Sequence, residues 1–180
     1  KRQNKSGYTT YEVVAGHVWR CVCAARLLPR DQETKLQIPV DGRPRLRPPL
    51  PPGFFGNGIF YTTSTASCGE LVSNPLEFAA EKVHAALVQM NDDYLRSAVD
   101  YLELRLPKIH DIARSENNVR CPNFGITSWV RLPFYEADFG WGKPVYAGPA
   151  AAQFEGKGLL FVDAESEGSL LLAITLLKPH

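Results

Sequence analysis

"ITSWVRLPFYEADFGWGKPVYAGP", residues Ile126–Pro149, joins an apolar run with strand character to a turn that carries two glycines and two aromatic side chains. In a strand, successive side chains alternate between faces. Thr127, Trp129 and Arg131 then share one face, and Ile126, Ser128, Val130 and Leu132 share the other, which reads as the core face. The first set combines a hydroxyl, an aromatic plane and a guanidinium. Such a strip suits a small ligand with a carboxylate: the guanidinium grips the acid bidentately and the ring covers the apolar part. The same residues also fit a structural arrangement in which Arg131 pairs with Glu136 or Asp138 and Trp129 fills the core. After Pro133, the glycines of Asp138-Phe139-Gly140-Trp141-Gly142 permit backbone conformations closed to other residues, and the aromatics between them can anchor a tight loop against the core. Asp-Phe-Gly binds magnesium in protein kinases. Here no Gly-rich phosphate loop, strand-lysine motif or His-Arg-Asp loop precedes it, and there is no Gly-x-x-x-x-Gly-Lys run, so phosphoryl transfer is not expected.

Upstream, Thr9 and Glu12 have capping-box spacing and open a helix that runs to Leu28, with Val14, Val18, Cys21, Ala25 and Leu28 as its buried stripe. "KLQIPV" alternates Leu36, Ile38 and Val40 as a short strand. It runs into "DGRPRLRPPLPPG", whose prolines predict an extended connector across a surface. "GIFYTTSTA" is rich in β-formers and reads as a second strand. Asn74 is expected to cap a helix with Pro75 at its first position and Glu77 three residues on, continuing through Ala79, Ala80, Val83, Leu87 and Met90. Another helix starts at Asn91, and Pro107 and "CPNFG" end the helical region. Downstream, "GLLFV" and "SLLLAITLL" flank "ESEG" as a hairpin. This order predicts an α/β fold, a mixed sheet with helices packed on it.

The chain has 180 residues, 44% of them hydrophobic, enough for a packed core. Its 20 Lys and Arg nearly cancel 19 Asp and Glu, so no global field draws it to nucleic acid or an anionic membrane. Any anion it binds must be held locally. The four cysteines, Cys21, Cys23, Cys68 and Cys121, form no pair of C-x-x-C knuckles for zinc and read as free thiols, with no metal site expected. No apolar run is long enough to span a bilayer and no charged-then-apolar leader is visible; a cytoplasmic location is expected. The polar, basic opening "KRQNKSGYTTYE" reads as a loop inside something longer.

"ADFGWGKP", preceded in order by "YEVVAGHVWR", "VDGRPR" and "GFFGNGIF", resembles the plant BAHD acyl-CoA-dependent acyltransferases over essentially the whole chain. "YLRSAVDYLEL" and "ITSWVRLP" resemble most closely the hydroxycinnamoyl-CoA shikimate or quinate hydroxycinnamoyltransferases. The resemblance implies a chloramphenicol-acetyltransferase-like domain: residues 1–8 as an inter-domain loop and 9–180 as the C-terminal half. The family's catalytic His-x-x-x-Asp, whose His is the general base, belongs to an N-terminal domain. Here neither His17, His84, His110 nor His180 is followed four residues later by Asp. No catalytic residue is therefore expected in this chain, and His17 is expected to be packed or backbone-bonded on its helix.

The resemblance further implies acyl-CoA as co-substrate with no permanently bound cofactor. It implies as partners the N-terminal half and a small carboxylated acceptor, in an enzyme monomeric when complete. Thr127, Trp129 and Arg131 would face the acceptor. Asp138, Phe139, Gly140, Trp141 and Gly142 would be structural and remote from the chemistry. Arg43 resembles the family arginine that pairs with the motif Asp across the domain interface; its other reading is an exposed loop charge. Lys1, Arg2, Lys5 and Ser6 could meet the phosphates of coenzyme A, or form a solvated chain end. Phe54 stands where the family usually has tyrosine, and "AGPAAAQFEG" departs from a glycine-rich stretch. The implied reaction is transfer of a hydroxycinnamoyl group to the hydroxyl of shikimate, quinate or a similar acid. The alternatives are a polyamine such as spermidine, which Arg131 would repel, an ω-hydroxy fatty acid, or a non-catalytic module.

Overall fold

The structure, a computed structural model, describes residues 7–106, 119–151, 154–164, 166 and 168–177. Lys1, Arg2, Lys5, Ser6, Pro107, His110 and His180 lie outside them. Thr9 caps the first helix, α1 (Thr10–Ala25), through the expected capping box: Glu12 N donates to Thr9 Oγ1 at 3.3 Å, and Thr9 N donates to Glu12 Oε2 at 2.5 Å. Strands β1 (Glu33–Asp41) and β2 (Ile59–Ser67) follow, then helices α2 (Cys68–Ser73), α3 (Leu76–Val88) and α4 (Asp92–Arg105), then strands β3 (Phe124–Ser128), β4 (Lys157–Val162) and β5 (Leu170–Thr175). The sheet order is β2-β1-β3-β4-β5. Its three central strands run parallel and its outer pairs antiparallel, the mixed sheet expected from the sequence.

One face of the sheet carries Leu36, Ile38, Phe124 and Ile126 into a core shared with α1 and α3. On β2 the residues in register with Leu36 and Ile38 are Ser64 and Thr62. Their hydroxyls donate to α3 carbonyls, Ser64 Oγ to Lys82 O at 2.9 Å and Thr62 Oγ1 to Ala86 O at 3.1 Å, so buried polar atoms are satisfied without water. Gly158 lets the Phe124 ring lie across β4, since a Cβ there would stand 2.8 Å from the ring.

Five local expectations need correction. The buried stripe of α1 is Ala15, Val18, Trp19, Val22 and Cys23, rotated from the expected one; Cys21 and Ala25 are exposed. Two contacts set this rotation. Gly16 brings α1 so close to α3 that a Cβ would lie 3.0 Å from the Ala79 backbone, and Trp19, fully buried, donates from Nε1 to Thr34 Oγ1 at 3.2 Å. His17 accordingly faces solvent, 3.6 Å from Cys21 Sγ. Asn74 does not cap α3. It ends the short, unanticipated α2, its Nδ2 donating to Glu70 O at 2.9 Å, while Ser67 and Glu70 form the capping box that opens that helix. The proline-rich stretch after β1 is a folded loop instead of an extended connector. Gly42 N bonds to Gly58 O at 2.8 Å, and Arg45 Nη1 donates to Leu87 O and Met90 O at 2.9 and 3.0 Å, meeting carbonyls at and just past the C-terminus of α3. Finally, β3 ends at Ser128, so the strand does not reach Arg131.

Arg26, which closes α1, is buried with its side chain 5% exposed against 8% for Glu155. It donates to Glu155 Oε1 and, through Nη1, to Asn123 O at 2.7 Å; Glu155 Oε2 in turn accepts from Cys121 N at 3.0 Å. Gly156 follows at φ 80°, where a Cβ would collide with Val119 O at 1.8 Å, so only glycine closes this turn. Removing the carboxylate strands a buried charge: Glu155→Ala is expected to lower the unfolding free energy by about 3 kcal/mol or more in urea denaturation.

Glu12 supplies a pH dependence. Burial pushes its carboxyl up, but the Thr9 amide and hydroxyl and His84 Nδ1 at 2.8 Å outweigh this and hold it below the usual range. A carboxyl depressed in the folded state contributes stability above its unfolded value of about 4.3, and that contribution is lost as pH falls through the folded value. Melting temperatures recorded from pH 7 to 3 should therefore fall less steeply at the acid end for Glu12→Gln than for the parent chain.

Candidate active site

The sheet face opposite the helices forms the floor of the site. Gly125 and Thr127 of β3 stand in register with Lys157 and Leu159 of β4, and Leu159 with Ala173 of β5. Alternation puts these side chains on the face away from Ile126 and Leu160. Together with Trp129, Phe154 and the Pro149–Ala151 segment, Thr127, Lys157, Leu159 and Ala173 line an open cleft of about 460 Å³. The volume lies within the range of small-molecule sites.

Thr127 and Trp129 thus share one side, as alternation predicts. Although β3 has ended, Trp129 N still donates to Leu160 O at 2.7 Å, and the indole packs on Phe134 with centroids 5.4 Å apart. Trp129 is half-buried as a wall of the cleft and does not fill the core. Arg131 is different. Leu132 N donates to Trp129 O at 3.0 Å, so the backbone turns before Pro133 and Arg131 leaves the alternating pattern; it is exposed and does not line the cleft. Among the described residues neither Glu136 nor Asp138 forms an ion pair with it.

Asp138 closes the next loop on itself. Its Oδ1 accepts from Gly140 N at 2.8 Å and Gly142 N at 3.1 Å, with the two glycines at φ 100° and 104°. This turn points Phe139 and Trp141 outward, 77% and 85% exposed, with their rings 6.1 Å apart. The expected anchoring of these aromatics against the core is not found. Instead the segment is tied down by Tyr135, whose hydroxyl accepts from Ala147 N at 3.2 Å, and by Tyr146, which meets Phe161 edge-on at 6.3 Å.

Arg43 is engaged within its own loop. Its Nη1 lies 3.0 Å from Asp41 Oδ1, its Nη2 donates to Gly56 O at 2.7 Å, and the side chain is 31% exposed. These bonds fold "GFFGNG" back on the end of β1 and leave Phe55 fully exposed. Lys5 and Ser6, expected at the coenzyme phosphates, lie outside the described residues.

Sequence reading missed Lys157 and Phe154. Lys157 Nζ lies 4.5 Å from the centre of the Phe154 ring. Lys157, Leu159 and Phe161 alternate in "GKGLLFV", so the face of Lys157 was legible once the strand was paired with Thr127. Phe154 stands in an aperiodic stretch with no such signal. The two buried thiols offer no nucleophile: burial pushes Cys23 up to about 12 and also raises Cys68. Neither thiol lines the cleft, whose polar groups among the described residues are the Thr127 hydroxyl and the Lys157 ammonium.

The Asp138 turn can be tested by itself. Asp138→Ala should speed hydrogen exchange at the Gly140 and Gly142 amides several-fold by NMR, with exchange in β4 unaltered; unaltered glycine amides would contradict the turn's dependence on the carboxylate.

The model of the Transferase family matches residues 1–180. Rosmarinate synthase of Plectranthus scutellarioides is 55% identical over 173 residues, covering 96% of this chain and 40% of the relative. Shikimate O-hydroxycinnamoyltransferase of Nicotiana tabacum is 51% identical over 177 residues, covering 98% and 40%. The chain thus spans about 40% of the length of these relatives. The crystal structure of F. sporotrichioides TRI101 complexed with coenzyme A and T-2 has the same fold, with a TM-score of 0.73 at 19% identity over 94% of this chain and 41% of that one.

Proposed function

The chain belongs to the Transferase family, that of the BAHD acyltransferases, and on this premise we propose that it forms the acceptor side of an enzyme transferring a hydroxycinnamoyl group from coenzyme A to the hydroxyl of a small carboxylated acceptor, shikimate, quinate or a similar acid. The observation that carries this reading is the convergence of Thr127 and Trp129 on one cleft with a cation at its wall. The relatives' names support the donor, and shikimate, the acceptor named by one of them, is a carboxylic acid.

Acyl transfer needs a positioned acceptor, a base and a polar environment for the developing oxyanion. The base is the His of a His-x-x-x-Asp motif in an N-terminal half. It takes the proton from the acceptor hydroxyl as the oxygen attacks the thioester carbonyl. Collapse of the tetrahedral adduct breaks the carbon–sulfur bond, and the proton passes to the departing thiolate, giving an ester and free coenzyme A. The residues of this chain act before that step. Thr127 offers a hydroxyl and Trp129 an apolar wall that limits how the acceptor lies. Arg131, on the turn beyond the strand, adds positive potential on the approach to the cleft. Arg43 shapes the loop after β1 through Asp41 and Gly56 O, and Asp138 shapes the turn that presents Phe139 and Trp141 at the surface.

The test is free-thiol release from p-coumaroyl-CoA by the complete protein with shikimate, quinate, spermidine or no acceptor. Release should depend on shikimate or quinate; release with spermidine alone would overturn the carboxylated acceptor.

A further inference from the structure

Among the described residues, Lys157 is a cation without a counter-charge. The nearest carboxylate along the chain, Glu155, is committed to Arg26 and to the Cys121 amide. Among the described residues no carboxylate pairs with Lys157, and its ammonium rests instead on the face of Phe154, 4.5 Å from the ring centre. An aromatic face attracts a cation but accepts no hydrogen bond as strong as those of a carboxylate, so the ammonium keeps donors for an incoming anion. The backbone that carries it is fixed from two sides. Lys157 is held at the start of β4 by its pairing with Gly125 and Thr175. The buried Arg26–Glu155 pair and Gly156 fix the turn immediately before it.

We propose that Lys157 is a specificity-determining residue of the cleft, holding the carboxylate of the acceptor while Trp129 and Phe154 enclose its apolar part. This rests on the functional reading above and extends it: Arg131 stands outside the cleft, whereas Lys157 lines it two positions along the strand from Leu159, the partner of Thr127. A second cation at this place also raises the penalty for a polyamine acceptor.

The test compares shikimate with its methyl ester, the same ring without the charge, as acceptors for the complete protein and its Lys157→Met and Lys157→Arg variants, with p-coumaroyl-CoA as donor. A hydrogen bond to a charged group is worth about tenfold or more in binding, so Lys157→Met should lower the kcat/KM preference for shikimate over the ester by about tenfold, acting through KM. Lys157→Arg should restore most of it. Equal losses for both acceptors, or an unchanged preference, overturn the proposal. So does a rise in KM for p-coumaroyl-CoA in place of that for shikimate, which would assign the anion to the coenzyme phosphates. A parent protein that turns over no carboxylated acceptor overturns the functional reading itself, an outcome distinct from a parent that prefers shikimate and a variant that still does.

Discussion

Arg26 ends its helix inside the protein, where a guanidinium left without a counter-charge is strongly destabilising. Glu155 supplies the charge and the Asn123 carbonyl a further bond. Because Glu155 also receives the Cys121 amide, one carboxylate joins three pieces distant in sequence: the end of α1, the turn entering β3 and the turn entering β4. Strands β3 and β4 are parallel neighbours, which no short hairpin can align. Their relative height is set by this buried cluster together with the Gly125–Gly156 backbone bond of 2.8 Å. Most of the cleft floor comes from those two strands, so its geometry descends from an ion pair on the far side of the turn.

The sequence was most readable where local chemistry acts alone. The capping box at Thr9, the helix start at Asn91 and the alternation of Leu36, Ile38 and Val40 all act within a few residues, and the structure agrees with them. Misreadings began where a long-range contact outweighed the local pattern. The period of α1 allowed more than one stripe, and the choice was made by Trp19 reaching Thr34 and by Gly16 meeting Ala79. Asn74 next to Pro75 has the form of a helix start, yet its side chain is taken by the helix before it. The proline-rich loop reads as extended because prolines forbid regular structure, but Arg45 within it finds carbonyls at and just past the end of α3 and folds it.

The candidate site shows the same division. Thr127 and Trp129 were legible because alternation survives through the Trp129–Leu160 bond. Arg131 falls outside the pattern because a turn intervenes, and Lys157 enters the site from a strand about 30 residues away, which only pairing reveals. The family was legible in short motifs, while the register of the sheet shows which side chains share the cleft.

The hydroxyls of Thr62 and Ser64 bear on motion as well as on polar satisfaction. They stand two residues apart on β2 and bond to carbonyls four residues apart on α3, in opposite chain directions. Two strand residues advance about 6.8 Å and four helical residues about 6.0 Å, so the spacings agree over one turn and drift apart beyond it. The pair therefore acts as a vernier. Helix α3 cannot slip along the sheet without losing both bonds at once, and a load applied to its far end is carried into β2 as a rigid shear instead of being absorbed by sliding.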